Sequence, residues 1–555
     1  MKEQITIYCK NNQKYYEFEA GVSVMEIYGQ IDFKTPYLLT CCRVDNKNEN
    51  LNFRCYRSKD IEYLDITNPS GLRTYVRTLC FILSKAVEDC FPGSRIYIEH
   101  PLSKGYYCDL EIGRPVTEQD VDVLKKRMWE IVDADYPVEV RREQTDKVVE
   151  IFRNAGKEDK ARLFESSGQV YSIYHILDKY LDFYNGALLP STKYVYMFEL
   201  TKYYDGVLLR IPSRENPREL QSLIRQEKMM NVYKEEIEFL RVWGLMNVGD
   251  LNNADEKGGI GLLIKVAEAL QEKQIAGIAG TIAQKYKEGL RIVLIAGPSS
   301  SGKTTFCKRL QVQMMTNKIK PVGISLDDYY VNRVDSPLAP DGEYDFESLY
   351  AIDLKTFNED LTKLLNGEEV ELPTYNFVTG TRVYRGNTVK LEENTVLVME
   401  GIHGLNPELI PQIDPATTYK IYVSALTAIS LDDHNWISTT DNRMIRRIVR
   451  DYQFRQYSAK ETIARWESVR QGEDKWIFPY QENADEMFNS AMLYELAALR
   501  RFAEPILSQV APSDPEYSEA YRLLKFLRYF KYIDINDLSS TSLLREFLGG
   551  SSFRY

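Results

Sequence analysis

The stretch Arg-Ile-Val-Leu-Ile-Ala-Gly-Pro-Ser-Ser-Ser-Gly-Lys-Thr-Thr, residues 291–305, decides the fold of the region around it. It begins with an apolar run, Ile292 to Ala296, which is short enough for a strand buried on both faces of a parallel sheet. The pattern G-x-x-x-x-G-K-[ST] follows, and a helix is expected after it. The glycines let backbone N–H groups curl around a phosphate, and the dipole of the helix favours the same anion. The stretch therefore predicts an α/β nucleotide-binding fold, in which helices flank a parallel sheet.

The same stretch indicates which residues should bind the nucleotide. Lys303 can reach the outer phosphates of ATP, and the Thr304 hydroxyl can bind Mg²⁺. We therefore expect ATP and Mg²⁺ as cofactors. The predicted phosphate-binding residues are Gly297, Pro298, Ser299, Ser300, Ser301, Gly302, Lys303, Thr304 and Thr305.

Two further apolar runs end in carboxylates, and each predicts a strand beside the phosphate loop. Residues 322–326 lead into Asp327 and Asp328, and residues 395–399 lead into Glu400. The carboxyl ends of parallel strands face the crevice in which ligands bind. Asp327 is therefore predicted to accept the proton of an alcohol, with Asp328 as the alternative. Glu400 is predicted to hold Mg²⁺ or one of its waters.

Residues 441–451 predict a helix with arginines on one face. Four arginines lie between Arg443 and Arg450, three to four residues apart, and the rest of this stretch includes an apolar side. Arginines on a mobile lid can close over transferring phosphates, exclude water and neutralise developing charge. We therefore predict a lid, with Arg443 and Arg447 as catalytic residues.

The composition sets wider bounds. With 555 residues the chain is too long for one core, so several domains are expected. The net charge of −11 argues against a broad nucleic-acid surface. There is no run of about 18 apolar residues and no apolar core of a signal peptide near the start. None of the eight cysteines forms a C-x-x-C pair, which is typical of free thiols in a reducing cytosol. We expect a cytoplasmic protein with a small-molecule partner and no membrane contact. The sequence is compatible with a monomer and with an oligomer.

Residues 290–510 resemble the uridine kinase and phosphoribulokinase family. The resemblance rests on the motifs at 297–305, 325–330, 373–377 and 400–402, and on the arginine helix from Asp441. It implies that Asp327 accepts the proton and that Glu400 supports the metal. It also implies that the acceptor site is lined by Tyr330, Tyr375, Arg382 and Asp345.

Two departures from the family pattern concern the acceptor. Gly380 stands where uridine kinases of the family carry a histidine that contacts the pyrimidine, and the sugar-binding segment is altered to Asp341-Gly342-Glu343-Tyr344-Asp345. Phosphoryl transfer to a hydroxyl is therefore the prediction, with a nucleoside such as uridine as the acceptor. The alternatives are a kinase for a non-nucleoside alcohol or sugar phosphate, and a nucleotide-switched protein that binds RNA or the ribosome.

Residues 1–65 resemble the small N-terminal module of threonyl-tRNA synthetases, and residues 70–212 resemble the editing domain that follows it there. The stretches that carry this resemblance are 18–24, 86–92, 105–109 and 189–192. The family's H-x-x-x-H and C-x-x-x-H positions fall on Arg77, Phe81, Tyr184 and Leu188. Without imidazole or thiolate, neither metal binding nor base-assisted ester hydrolysis operates there. We expect a scaffold or docking module, and binding of RNA or an aminoacyl ligand without chemistry stays open.

These observations predict five segments. They are a β-grasp-like module (1–65), a degenerate editing-like α+β domain (66–225), a helical connector (226–285), a P-loop kinase domain (286–510) and a C-terminal docking segment (511–555). Within them, helices are expected over residues 220–243 and 516–532.

Overall fold

The computed structural model describes residues 3–256, 258–339 and 342–554. The first part is a five-stranded sheet in the order β2-β1-β7-β4-β5, in which β1 and β7 are parallel and the other pairs antiparallel. Ser23 begins α1 with a capping box, in which its side chain and that of Glu26 satisfy each other's backbone N–H groups. The elements are β1 (Gln4–Cys9), β2 (Lys14–Glu19), β3 (Val22–Ser23), α1 (Val24–Gln30), β4 (Leu39–Val44), β5 (Lys47–Glu49), β6 (Arg54–Cys55) and β7 (Lys59–Asp65).

The second part packs two long helices on an antiparallel sheet in the order β13-β14-β9-β8, and a three-stranded sheet, β10-β11-β12, lies beside it. Thr117 begins α3 with the capping box that its sequence predicts. The elements are α2 (Pro69–Cys90), β8 (Arg95–Leu102), β9 (Gly105–Glu111), α3 (Glu118–Asp133), β10 (Val138–Gln144), α4 (Thr145–Asn154), α5 (Glu158–Ser166), β11 (Tyr171–Leu177), β12 (Tyr180–Asp182), β13 (Glu199–Tyr203) and β14 (Gly206–Arg210).

Three helices then lead to the nucleotide-binding region: α6 (Glu227–Trp243), α7 (Val248–Glu256) and α8 (Ile260–Lys287). The prediction of a helix from residue 220 is wrong by two turns. The reason is that the backbone before Glu227 pairs with the end of β14. The N–H of Gln221 donates to the carbonyl of Ile211 at 3.0 Å, and Arg210 donates to the carbonyl of Gln221 at 2.8 Å.

The third part is a parallel sheet in the order β16-β19-β15-β20-β21, with helices packed against it, and it confirms the predicted α/β class. The central strand β15 is buried along its whole length. The elements are β15 (Ile292–Ala296), α9 (Lys303–Thr316), β16 (Lys320–Ser325), α10 (Leu354–Leu365), β17 (Val370–Asn376), β18 (Thr381–Val389), β19 (Thr395–Glu400), β20 (Thr418–Ser424), α11 (Thr439–Phe454), α12 (Ala459–Trp476), β21 (Glu486–Asn489) and α13 (Glu495–Leu507).

The chain ends in α14 (Tyr517–Leu527) and the short α15 (Arg545–Leu548), so the helix expected over 516–532 stops five residues early. Within the described ranges, no helix is both long and apolar enough to cross a membrane. The strand order places the carboxyl ends of β16, β19 and β15 side by side. Asp327, Glu400 and the phosphate loop follow these three strands and therefore meet at one edge of the sheet.

Candidate active site

The loop between β15 and α9 has the backbone that an anion-binding turn requires. Gly302 precedes α9 in the left-handed region, with φ of 85°, and Ser300 also has a positive φ, of 59°. At Gly297, a Cβ atom would lie 2.1 Å from the carbonyl oxygen of Val423 on β20. Glycine at this position therefore lets the loop leave the sheet against the neighbouring strand.

Two arginines of α11 donate hydrogen bonds to backbone carbonyls of this loop. Arg443 donates to the carbonyl of Ser299 at 3.0 Å and forms a buried ion pair with Glu473 of α12. Arg446 donates to the carbonyl of Ser300 at 3.3 Å and pairs with Glu495 of α13 at 2.6 Å. Because both guanidinium groups are buried with a carboxylate, they fix the loop and add no net charge to it.

This arrangement corrects the lid interpretation of residues 441–451. The helix α11 lies in the core, and the side chains of Arg443 and Arg446 are 1% and 0% exposed. Neither group is placed to close over a phosphate. Arg447 is closer to the predicted role, since its Nη1 donates to the hydroxyl of Ser299 at 2.9 Å. The sequence did not reveal the difference, because the carboxylates that bind the two buried arginines follow 30 and 49 residues later.

The two residues predicted to hold a metal lie together. The Thr304 hydroxyl donates to Glu400 Oε1 at 3.1 Å. Burial raises the pKa of Glu400 to about 7, and the nearby Lys303 opposes this shift. Adjacent hydroxyl and carboxylate oxygens suit Mg²⁺, which binds through one or two carboxylates together with phosphate oxygens. No cluster of three or more His, Cys, Asp or Glu side chains fit for a metal occurs in the described part of the chain.

Asp327 lies near Lys303, in a 3₁₀ turn over Leu326–Tyr329 directly after β16. Burial raises the pKa of Asp327, the Lys303 charge opposes the shift, and the hydroxyl of Tyr330 is a hydrogen-bond partner. The neighbouring Asp328 has a different contact, because its Oδ1 accepts the backbone N–H of Tyr375 at 3.1 Å. Of the two adjacent aspartates, Asp327 therefore faces the crevice, and Asp328 binds the backbone of β17.

Aromatic side chains form the wall of this crevice. The rings of Tyr330 and Tyr375 meet edge to face with centroids 5.6 Å apart, and Phe377 lies 5.1 Å from Tyr375. Arg382 is ion-paired with Asp353, at the start of α10, over 2.9 Å. Its charge is therefore partly satisfied within the protein.

Of the segment 341–345, the structure describes residues 342–345. Asp345 is partly buried, and its backbone N–H donates to the carbonyl of Pro337 at 2.8 Å. Asp341 lies outside the described residues. The structure thus brings together Lys303, Thr304, Asp327 and Glu400, surrounds them with aromatic rings, and leaves Arg382 in a local ion pair.

The four positions of the editing motif form a packed core in the second part of the chain. Phe81 and Tyr184 are buried with ring centroids 5.1 Å apart, and Leu188 is 1% exposed. Arg77 donates to the carbonyl of Ala187 at 3.4 Å. These four positions are thus occupied by close packing of Phe81, Tyr184 and Leu188 beside Arg77, and we call this cluster the filled centre.

Comparison with known proteins finds similarities for two parts of the chain, the nucleotide-binding region and the N-terminal region. Residues 292–496 match the model of the Phosphoribulokinase / Uridine kinase family. These residues form a domain of that family.

The N-terminal region is similar to threonine–tRNA ligases. The ligase of Azoarcus sp. strain BH72 is 28% identical over 187 residues, which cover 33% of this chain and 29% of that protein. The ligase of Symbiobacterium thermophilum is 26% identical over 196 residues, or 34% of this chain and 30% of that protein. The chain therefore spans under a third of the length of these relatives.

Among solved structures, that of a possible uridine kinase from Bacillus stearothermophilus aligns with 18% identity. It covers 36% of this chain and 89% of that chain, with a TM-score of 0.25.

Two residues of the kinase-family domain that the sequence did not indicate lie in its acceptor crevice. Arg333 packs against Gly380, whose φ is 69°, so that a Cβ at Gly380 would lie 2.8 Å from the Cβ of Arg333. Its guanidinium donates to the carbonyl of Phe377 at 2.6 Å. Arg333 thus fills the space beside the position of the missing histidine. The left-handed Gly380 is a local signal, but the partner residue is 47 positions away.

Glu347 is the second such residue. Its side chain packs against Gly472 of α12, beside the ion pair of Glu473. Burial and the neighbouring Glu473 raise the pKa of Glu347 to about 7, while Arg447 and Lys303 oppose the shift. The loop over residues 336–350 drew attention in the sequence as polar and rich in Pro and Gly, but no pattern there singled out this glutamate.

Proposed function

We propose that the kinase-family domain transfers the γ-phosphoryl group of ATP to a hydroxyl group of a small molecule, with a nucleoside such as uridine as the acceptor. The observation that carries the proposal is the position of Asp327. Its carboxylate faces Lys303 and the Thr304–Glu400 pair from the tip of the neighbouring strand, while Asp328 is held by β17. A protein that only hydrolyses a nucleotide as a switch has no need of a buried carboxylate and an aromatic wall at this place.

Each residue of the site has its own role in the proposed reaction. The amides at the start of α9 and the ammonium of Lys303 hold the phosphates of ATP. Thr304 and Glu400 would hold Mg²⁺, which supplies charge neutralisation at the β- and γ-phosphates. Asp327 accepts the proton as the acceptor oxygen forms its bond to the γ-phosphorus and the bond from that phosphorus to ADP breaks. The fixed loop supplies the orientation on which this in-line transfer depends.

The carboxylates on the acceptor side of the crevice favour a neutral acceptor over a sugar phosphate. Asp327, Asp328 and Glu347 are acidic, and the charge of Arg382 is balanced by Asp353. Lys303, Arg447 and Arg455 also act on Asp327 or Glu347, and we assign these cations to the phosphates of ATP. Arg333 remains beside Tyr375, where it can contact an oxygen of a base or a sugar. A phosphorylated acceptor would bring two further negative charges towards these carboxylates.

For the N-terminal region, the filled centre supports a role in docking or ligand positioning without ester hydrolysis. The side chains at the former ligand positions are apolar or, at Arg77, cationic, and three of the four are fully buried. Phe81 and Leu188 carry no titratable group, and burial raises the pKa of Tyr184, whose hydroxyl is paired with Ser84, so that it stays a neutral phenol.

An acceptor screen tests the proposed function. Purified protein is incubated with Mg·ATP and nucleosides, free sugars or sugar phosphates, and ADP and the phosphorylated product are both measured. Asp327→Asn should lower kcat by about 10²- to 10⁴-fold, because the base is lost, and leave ATP affinity unchanged.

The matched control is Asp335→Asn, which removes the same charge from an exposed carboxylate eight positions further on. It should leave transfer unchanged. ADP release that no acceptor accelerates would instead favour the switch, and normal transfer by Asp327→Asn would reject the assignment of the base.

A further inference from the structure

The C-terminal end of the chain lies directly on the phosphate loop. We call residues 539–549, which include α15, the C-terminal strap. Leu543, Leu544 and Phe547 of the strap are fully buried. A Cβ at Gly302 would lie 2.5 Å from Cδ2 of Leu543, so that the strap is in contact with the loop at the start of α9. The guanidinium of Arg446, which holds the loop from behind, lies 5.0 Å from the ring of Phe547.

The strap also places a carboxylate on α9. Glu546 Oε2 accepts the backbone N–H of Thr305 at 3.3 Å and the Thr305 hydroxyl at 2.7 Å. Thr305 is the third residue of α9, and the N–H groups of the first helical turn have no acceptor within the helix. A negative charge is stabilised at this position by the helix dipole.

The same donors belong to the phosphate site. In loops with this sequence pattern, the backbone N–H groups of the loop and of the following turn hold the α- and β-phosphates. The Glu546 carboxylate and a phosphate oxygen would both accept hydrogen bonds from Thr305. The two groups therefore compete for the same position. They would also repel each other, since both are negative and lie in a partly buried site.

Glu546 differs in this respect from the other carboxylate on the loop. Glu473 accepts the N–H of Ser299 at 3.1 Å, but it is neutralised by Arg443 and Arg470. For Glu546, the described part of the chain gives no cationic partner within ion-pair distance, and its contact is to Thr305. Glu473 is therefore part of the fixed frame, whereas the charge of Glu546 is balanced by the donors of the loop itself.

The strap is bonded to the residues just before it. The guanidinium of Arg545 donates to the carbonyls of Ile535 and Leu538, at 3.0 and 2.8 Å, which ties α15 to this preceding segment. Gly549 and Gly550 follow α15, both with positive φ.

We propose that the C-terminal strap is an autoinhibitory element, in which Glu546 occupies a phosphate position of the nucleotide site and must leave before ATP binds. The inference rests on the proposed function, because it takes residues 297–305 as the ATP site. Nucleotide affinity is then reduced by the fraction of molecules in which the strap is open. Any partner that holds the strap away from α9 would activate the protein.

The first test compares nucleotide binding by two charge-neutralising variants of the full chain. Glu546→Gln keeps the size of the side chain and removes the charge, so that the dissociation constant of Mg·ADP, measured by calorimetry, should fall by about tenfold. Asp534→Asn removes the same charge from an exposed residue shortly before the strap, whose carboxylate caps its own turn, and should not change it. Weaker or unchanged binding by Glu546→Gln would overturn the inference.

The second test follows the strap itself by hydrogen exchange, with and without a nonhydrolysable ATP analogue and Mg²⁺. We expect residues 297–305 to become protected while residues 543–548 exchange faster. Protection of both segments would mean that the strap is part of the nucleotide site, which rejects the inference and leaves the kinase proposal intact. Release of the strap by the analogue, together with no phosphoryl transfer from ATP to any acceptor in the screen, would reject the kinase proposal and leave the strap inference intact.

Discussion

The kinase crevice and the filled centre are two potential active sites within one chain, and they differ in what surrounds their key residues. In the crevice, Asp327 and Glu400 both interact with the charge of Lys303 and with each other. In the filled centre, Phe81 and Tyr184 pack against each other, and the nearby His175 accepts the backbone N–H of Tyr184 at 3.3 Å. Burial lowers the pKa of His175 to about 3, which keeps this imidazole neutral.

A shifted pKa alone does not distinguish the two regions. Glu400 in the crevice and Glu99 on β8 both have a pKa of about 7, and burial is the main cause for each. Glu99 bonds to the hydroxyl of Tyr233 on α6, whereas Glu400 adjoins Thr304, Lys303 and Asp327. The comparison teaches that convergence of several chemically matched groups marks a site, and that a single buried acid does not.

The comparison is tested most strongly by breaking the filled centre. Phe81→Ala removes a fully buried ring and should lower the free energy of unfolding by about 3–5 kcal/mol, measured by denaturant titration. The kcat for phosphoryl transfer should not change, because Phe81 is here a packing residue. Tyr15→Ala, at a ring that is 72% exposed, serves as the control and should stay within about 0.5 kcal/mol. Loss of turnover in folded Phe81→Ala protein would show that the centre contributes to catalysis.

The opposite pattern is expected in the crevice. Lys303→Met removes the ammonium that faces the phosphates and should lower kcat/KM by about 10²- to 10³-fold, or about 3–4 kcal/mol. The thermal midpoint should stay close to that of the unchanged protein. Lys308→Met, two residues beyond Phe306 on the same helix, matches the change in charge and volume and should retain full activity. Equal losses from the two lysines would mean that the helix, and not the site, was damaged.

The smallest effect concerns the buried acid that is not at a site. The folded-state pKa of Glu99 is about 7 against an ordinary value of 4.5, so the folded protein binds more protons than the unfolded chain between these values. Stability should therefore fall as pH rises through this window, by up to about 1.4 kcal/mol per pH unit. Glu99→Gln should flatten this slope and leave kcat unchanged. A slope that persists in the variant would assign it to other groups, and Glu236, whose pKa is also raised to about 7, would be the next to replace.

Much of the active-site edge could be predicted from local sequence. The apolar run before Gly297, the carboxylates after β16 and β19, and the capping residues of α1 and α3 are short-range signals, and the structure places the corresponding strands and helices as expected. These features depend on residues that are close together in the chain.

The rest depends on contacts that local patterns do not contain. The buried partners of Arg443 and Arg446 come from α12 and α13, so the arginine face was mistaken for a lid. Glu546 reaches Thr305 from 241 residues away. The helix expected from residue 220 begins only at Glu227, because the backbone of Gln221 pairs with Ile211 at the end of β14. In each instance tertiary contacts decide between alternatives that the sequence left equal.

A loop after β20 joins the kinase-family domain to the filled centre's side of the molecule. Lys160 of α5 is buried, with its ammonium 3.2 Å from Asp182 of β12 and 3.2 Å from Asp432 of the loop. His434 of the same loop lies 2.7 Å from the other oxygen of Asp182. A cut between the two regions would take the ammonium of Lys160 away from Asp432, whereas Lys160 would keep Asp159 and Asp182 as counter-ions. The kinase-family domain produced alone would therefore carry an uncompensated carboxylate in this loop, while the N-terminal region would keep its charge balance.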